Sequence, residues 1–381
     1  MHTEKLSQEE YIAGAQEELK QLIRDLCAVP APSNHEEKRA EFCKRWFDEN
    51  LGSGAFVDEA LNVVFPYNVT EDNDVVVLMA HTDTVFPDTE PMPFSEEGGI
   101  MRCPGITDDT ANLAVLMICA RFIVKNALPT GTGVLFVANS GEEGLGNLKG
   151  CRAIVGRYGS RMKELVTLDG SDLDYIVTSA VGSHRYRVSA KTEGGHSFSC
   201  FGRRNAIQVL AELVTELYKV KVPVVGESRT TYNVGAISGG TSVNTIAQDA
   251  EMLYEYRSDD RRCLEQMKQT FEAIVKECTP DDAEVTVELI GERPCTGDVD
   301  KAAMADLVER GSAAVRSAAG KEAILTSAST DCNIPLATGI PAICLGVAVG
   351  GGCHTREEWL DTESLAAGCR LFMEFFKYYC V

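Results

Sequence analysis

The stretch "VVVLMAHTD" (Val75–Asp83) decides how the chain is read. Val75 to Ala80 is an unbroken apolar run of strand length. Such runs mark strands buried on both faces, usually in a parallel sheet covered by helices. This one ends on two ionisable residues, His81 and Asp83. Residues two apart on an extended segment project the same way, so Asp83 can reach the side from which His81 points. A carboxylate on one imidazole nitrogen fixes the tautomer and strengthens the other nitrogen as a metal ligand. Taken alone, the same pair is more simply read as surface polar residues after a strand.

Three more short apolar runs end in the same way: Gly133–Ala138 before "NSGEEG", Leu165–Leu168 before "DG", and Ala342–Leu345 before "GVAVGGGCHT". Helical stretches lie between them. One of these, "DTANLAVLMICARFIVKNAL", is apolar nearly all round, which predicts a buried helix. Strands alternating with helices predict an α/β fold, a mixed, mostly parallel sheet with helices on both faces. Ligands of such sheets bind outside the carboxyl ends of the strands.

The polar clusters gather at those ends. "GITDDTANL" sets Asp108 and Asp109 before the buried helix, where one Asp suffices as a cap and the second is free. Glu142 and Glu143 are adjacent in "GEEG" and repel each other unless a cation or a proton separates them. Asp169 follows a strand in "VTLDGSD". His354 follows a glycine run that lets the backbone approach something closely. Each cluster has a bland reading as a cap, a solvated loop or a turn. Five of them at one edge of one sheet are hard to dismiss together.

The middle of the chain has another rhythm. Strand, helix, strand, strand, helix, strand follow in "HRYRVSAKTEG", "RRNAIQVLAELVTELYKV", "TYNVGAISGG", "DAEMLYEYRS", "DRRCLEQMKQTFEAIVKEC" and "AEVTVELIG". That order is the ferredoxin-like pattern. It predicts a small α+β domain over 181–293, inserted into a catalytic α/β domain made of 1–180 and 294–381.

Of the 381 residues, 44% are hydrophobic and 24% charged, the balance of an ordinary globular protein. No apolar run is long enough to cross a bilayer. The N-terminus carries charges of both signs without an apolar core, so it reads as a surface helix using Ile12, Leu19, Leu22, Ile23 and Leu26, not as a secretory signal. The 14 cysteines form no C-x-x-C pair, which predicts reduced, mostly buried thiols in a cytoplasmic protein. A net charge of −21 argues against nucleic acid or an anionic membrane as partner.

In sequence order, "HTD", "GITDD", "GEEG", "LDG", "GGHSF", "TSVNTIAQDAEMLYEYR" and "CHTREEW" resemble the co-catalytic dizinc metallopeptidases of peptidase family M20. That family includes tripeptide aminopeptidases, glutamate carboxypeptidases, aminoacylases and succinyl-diaminopimelate desuccinylases. The resemblance spans nearly the whole chain. It implies His81 as a ligand of one metal and Asp108 as a bridge between two, with Glu143 and His354 completing one site and Asp169 the other. Glu142 would be the general base and Asp83 the partner of His81. Two imidazoles and three carboxylates suit zinc, or cobalt or manganese. His196 would reach into the partner's site of a homodimer formed through the inserted domain, and Asn244 and Arg257 would hold a substrate carboxylate. Thr110 is a departure, because many relatives carry Lys or Met close after the bridging Asp.

The implied activity is hydrolysis of small peptides, closest to the tripeptide aminopeptidases. An N-acyl amino acid deacylase or a carboxypeptidase would use the same mechanism with another pocket. A non-catalytic metal- or peptide-binding relative is the alternative from another class, but it would have no use for Glu142.

Overall fold

The computed structural model describes residues 7–381. The first six residues, which contributed to the reading of the N-terminus, lie outside the described residues. The chain divides into two compact units: the residues up to Ser179 with Gly297–Val381, and Ala180–Thr296.

The first unit is built on a sheet whose strands lie in the order Phe56–Val57, Val63–Tyr67, Gly133–Asn139, Val75–His81, Met162–Leu168, Ala342–Leu345, Tyr175–Ala180, Ile324–Ala328. The four central strands are the four apolar runs, and they are parallel. Antiparallel neighbours flank them, so the sheet is mixed, as the alternation of strands and helices predicts. Val75–His81 is buried at every position. Val76, Leu78 and Ala80 face a core shared with the helices Gln8–Cys27, Asn112–Lys125 and Leu365–Phe376, while Val75, Val77 and Met79 are buried on the other face. Asn112–Lys125 packs against both of those helices and the central strand, which explains a sequence with no polar face. Gln8–Cys27 starts at a Ser7–Glu10 capping box and buries Ile12, Leu19, Leu22, Ile23 and Leu26.

A second, small antiparallel sheet is absent from the sequence reading. Its order is Val349–Gly351, Trp359–Asp361, Ile100–Arg102, Ser95–Glu97. Strands of three residues are too short for periodicity to register. This sheet matters for the site, because pairing Leu360 with Met101 brings the segment after His354 beside the segment before Asp108.

The second unit is a four-stranded antiparallel sheet in the order Thr230–Gly239, Asp249–Ser258, Gly182–Lys191, Glu284–Arg293. The helices Ala206–Leu217 and Arg261–Cys278 cover one face over a core that includes Tyr186, Tyr254, Tyr256 and Phe271. Alternating burial along Gly182–Lys191 shows one face covered and one not. All fourteen cysteines are free, most of them buried. Among the described residues no helix is long and apolar enough to cross a membrane.

Candidate metal centre

The register of the parallel strands puts the polar ends together. His81 is the last residue of its strand and pairs with Asn139, the last residue of the neighbouring one. Thr82 then donates its N–H and its hydroxyl to the Asn139 carbonyl at 2.7 and 2.8 Å, which stitches the two strand ends. Asp169 follows the next strand and donates its N–H to Leu345 O at 3.1 Å.

The sequence suggests the Asp83 carboxylate as the partner of the His81 ring, and the structure divides that role. Nδ1 of His81 lies 3.0 Å from the backbone carbonyl of Asp83 and 3.6 Å from its carboxylate. A carbonyl can only accept, so Nδ1 carries a proton, and Nε2 is the nitrogen left to meet a carboxylate when protonated or a cation when it has lost that proton. The carboxylate accepts the N–H groups of Glu142 at 2.9 Å and Glu143 at 3.0 Å, and the Ser33 hydroxyl at 2.7 Å. Asp83 therefore fixes the turn that carries the paired glutamates as well as the histidine beside it.

Asp108 is the centre of the arrangement. Its Oδ1 lies 3.0 Å from His81 Nε2, and its Oδ2 lies 3.1 Å from His354 Nε2. Glu143 Oε1 is 3.0 Å from the same His354 nitrogen, and Asp169 Oδ1 is 3.8 Å from His81 Nε2. His81, Glu142 and Asp169 form one group whose donor atoms all lie within 4.8 Å, and His81, Asp108 and Glu143 form another. Donors bonded at 2.0–2.1 Å to a shared zinc-sized ion would sit roughly 3.3 Å apart. Each group has the donor types and spacing to hold a divalent cation, and the two have His81 in common. His81 is buried, whereas His354 is 56% exposed, so the cluster opens to solvent on the His354 side. His354 has a φ of 64°, uncommon for a residue with a Cβ and typical of functional sites.

The electrostatics match a cage of carboxylates around two imidazoles. Burial disfavours the charged form of His81, but the Asp109 charge and hydrogen bonds with Asp108, Asp169 and Asp83 outweigh it and push its pKa well up. Hydrogen bonds with Asp108 and Glu143 raise that of His354 to about 10. Burial works against ionisation of Asp108, yet hydrogen bonds from both imidazoles hold its carboxyl well below the usual range. Burial raises the carboxyls of Glu143 and Asp109. Without a cation, protons on the imidazoles balance the acids, so cation binding has to displace them.

Neither aspartate of "ITDD" caps the buried helix, which corrects the bland reading of that pair. Ile106–Ala111 is an irregular turn without a side-chain cap, in which Asp108 and Asp109 leave helical φ/ψ. Asp109 instead accepts the N–H of His81 at 2.8 Å and the amide of Asn112 at 2.7 Å. Asn112, fully buried, also donates to Thr107 O and Gly170 O and accepts the Val347 N–H at 3.0 Å. It ties together the turns around Asp108, Asp169 and the strand end at Leu345. Its signal in the sequence is a single amide at the head of an apolar helix, and the sequence reading passes over it. Thr110, the departure noted in the sequence, accepts from the buried Arg39 at 3.4 Å, and Arg39 also donates to the Thr82 carbonyl at 2.9 Å.

In the second unit a two-stranded ribbon pairs His196 with Thr245, and Ser197 N–H donates to the Asn244 carbonyl at 2.9 Å. His196 and Asn244 are thus side by side and exposed. Nδ1 of His196 accepts the N–H groups of Phe198 and Ser199 at 3.2 and 3.4 Å, so Nε2 carries the proton and points out as a donor. Arg257 is elsewhere, at the far end of Asp249–Ser258, roughly 25 Å from the start of that strand. Its guanidinium pairs with Glu255 at 2.9 and 3.1 Å.

A model of "Peptidase family M20/M25/M40" matches residues 77–378. The chain is 24% identical over 369 residues to the uncharacterised protein YqjE of Bacillus subtilis, which covers 90% of this chain and 92% of that one. It is 23% identical over 222 residues to a probable carboxypeptidase of Trichophyton verrucosum, which covers 54% of this chain and 47% of that longer relative. Among solved structures, a tripeptidase from Staphylococcus aureus superposes with a TM-score of 0.74 at 24% identity, covering 96% of this chain and 98% of that one. At that identity the likeness speaks for the fold alone.

Proposed function

The chain belongs to peptidase family M20/M25/M40, and on that premise we propose that it hydrolyses small peptides at a centre of two divalent cations, zinc before cobalt or manganese. The observation that carries the proposal is Asp108 meeting His81 with one carboxylate oxygen and His354 with the other. His81 and Asp169 would hold one ion, Glu143 and His354 the other, and Asp108 both. Two bound ions would supply Lewis acidity and lower the pKa of an attacking water.

The protein's own residues do the rest. Glu142 is buried within reach of His81 and Asp169, and Asp83 pins its backbone N–H. It takes the proton of the attacking water and hands it to the leaving amine. The Nε2–H of His196 is a suitable donor to the tetrahedral oxyanion. Because His196 is on an exposed ribbon, we assign that role to a second copy of the chain, in a homodimer through the unit Ala180–Thr296. Asn244, beside His196 on the ribbon, and Arg257 would hold a substrate carboxylate.

Likeness to a probable carboxypeptidase favours a second reading with the same chemistry and a C-terminal specificity. Free di- and tripeptides assayed against N-acetyl and N-succinyl amino acids, with zinc loading fixed, separate a peptidase from a deacylase, and the residue first released from a tripeptide separates N-terminal from C-terminal specificity. Turnover of the free peptides is expected. Turnover confined to blocked amino acids would replace the peptidase reading with a deacylase.

A further inference from the structure

The carboxylate of Glu358 has no place in the chemistry above, although it lies under the centre of it. The N–H of Cys103 donates to the Glu358 carbonyl at 3.3 Å, which extends the pairing of Ile100–Arg102 with Trp359–Asp361 by one rung. That rung sets the Glu358 side chain beneath the turn that presents Asp108. The side chain is fully buried. Its Oε2 accepts the N–H of Gly105 at 2.7 Å, and its Oε1 accepts those of Thr107 and Asp108 at 2.8 and 2.9 Å.

These three donors have a reason to need an outside acceptor. Gly105 has a φ of 77°, and a Cβ there would stand 2.5 Å from Thr84 Cγ2, so the chain turns tightly against its neighbour. Asp108 and Asp109 then depart from helical φ/ψ, so the turn cannot satisfy its own N–H groups in the regular way. Three backbone N–H groups supply the hydrogen bonds of the Glu358 carboxylate. A buried carboxylate is costly without such bonds, and costlier close to other carboxylates. An apolar side chain would avoid both costs and leave the turn without its acceptor.

We propose that Glu358 is a positioning residue that holds the backbone of Gly105–Asp108, so that the two oxygens of Asp108 face the two imidazoles before any cation arrives. This rests on the reading of Asp108 as the shared ligand. Glu358→Gln keeps the size and one acceptor, but sets an amide N–H against the N–H of Gly105. Groups that orient metal ligands typically change metal affinity by about 10–100-fold when altered.

The test is zinc affinity by chelator competition for Glu358→Gln, with the exposed neighbour variant Glu357→Gln as control and Asp108→Asn alongside. The expected result is a loss of about tenfold in affinity for Glu358→Gln, none for Glu357→Gln, and turnover restored as zinc is raised to saturation. The metal-free Glu358→Gln chain should still unfold cooperatively. Affinity within twofold of the parent overturns the proposal. So does a metal-free chain that no longer folds, since the carboxylate would then serve the fold as a whole. If Asp108→Asn binds zinc like the parent, the reading of Asp108 itself fails, whatever Glu358→Gln does.

Discussion

The candidate residues of the two units are held in opposite ways. His81, Glu142 and Glu143 are buried at strand ends, and each is fixed through Asp83 or Asp109. His196 and Asn244 ride on an exposed two-residue ribbon, beside Phe198 and Val243 at 87% and 102% exposure. Side chains locked by packing and hydrogen bonds keep their geometry without a ligand. The ribbon fixes the tautomer of His196 and little else. The first group can form a site by itself, whereas the second presents donors to whatever meets it.

The largest expected effect falls on the held group. Glu142→Ala should cut turnover by about 10²–10⁴-fold while zinc content, measured by elemental analysis, stays at the parent level. Near-normal turnover would remove Glu142 from the role of base. His196→Ala should cost about 10²–10³-fold in kcat and leave zinc content unchanged, as loss of one oxyanion donor does. If parent chains shown by sedimentation to be monomeric were fully active, His196 would have no second site to enter, and the contrast between the units would lose its functional meaning.

Two smaller effects probe the second unit alone. Hydrogen bonding to the Arg262 guanidinium, with added bonds from the backbone of Arg262 and Cys263, lowers the Asp260 carboxyl to about 2 although burial works the other way. A depressed folded-state pKa contributes stability that is present above about pH 4 and is lost as pH falls through about 2. Asp260→Asn, still a good N-cap, should flatten the acid limb of unfolding followed by far-UV circular dichroism. An unchanged acid limb would show that other carboxylates set it. The hydroxyl of Tyr254 is buried without a hydrogen-bond partner. Tyr254→Phe should therefore raise stability by about 1 kcal/mol in denaturant titration, and a loss would mean that the hydroxyl is satisfied in solution.

The contrast also explains what the sequence could tell. Val75–His81 and its three parallel neighbours are legible because strands buried on both faces leave continuous apolar runs. The inserted unit is legible from the order of its six elements, since each is long enough to show its period. Asp108 facing two imidazoles is a product of three-dimensional register, and only the family resemblance pointed to it. Asn112 and Glu358 escaped for another reason: they act through backbone groups, and such partners have no signature in side-chain patterns. The short sheet that pairs Leu360 with Met101 escaped with them, although it is what brings the His354 and Asp108 segments together.

In the proposed centre one carboxylate, that of Asp108, serves two cations. Equilibrium dialysis against zinc, with metal per chain counted in the parent and in Asp108→Ala, tests that directly. Two zinc ions per parent chain are expected, with both weakened together when Asp108 is removed. A parent chain that binds a single ion, or an Asp108→Ala chain that keeps two at parental affinity, would contradict it.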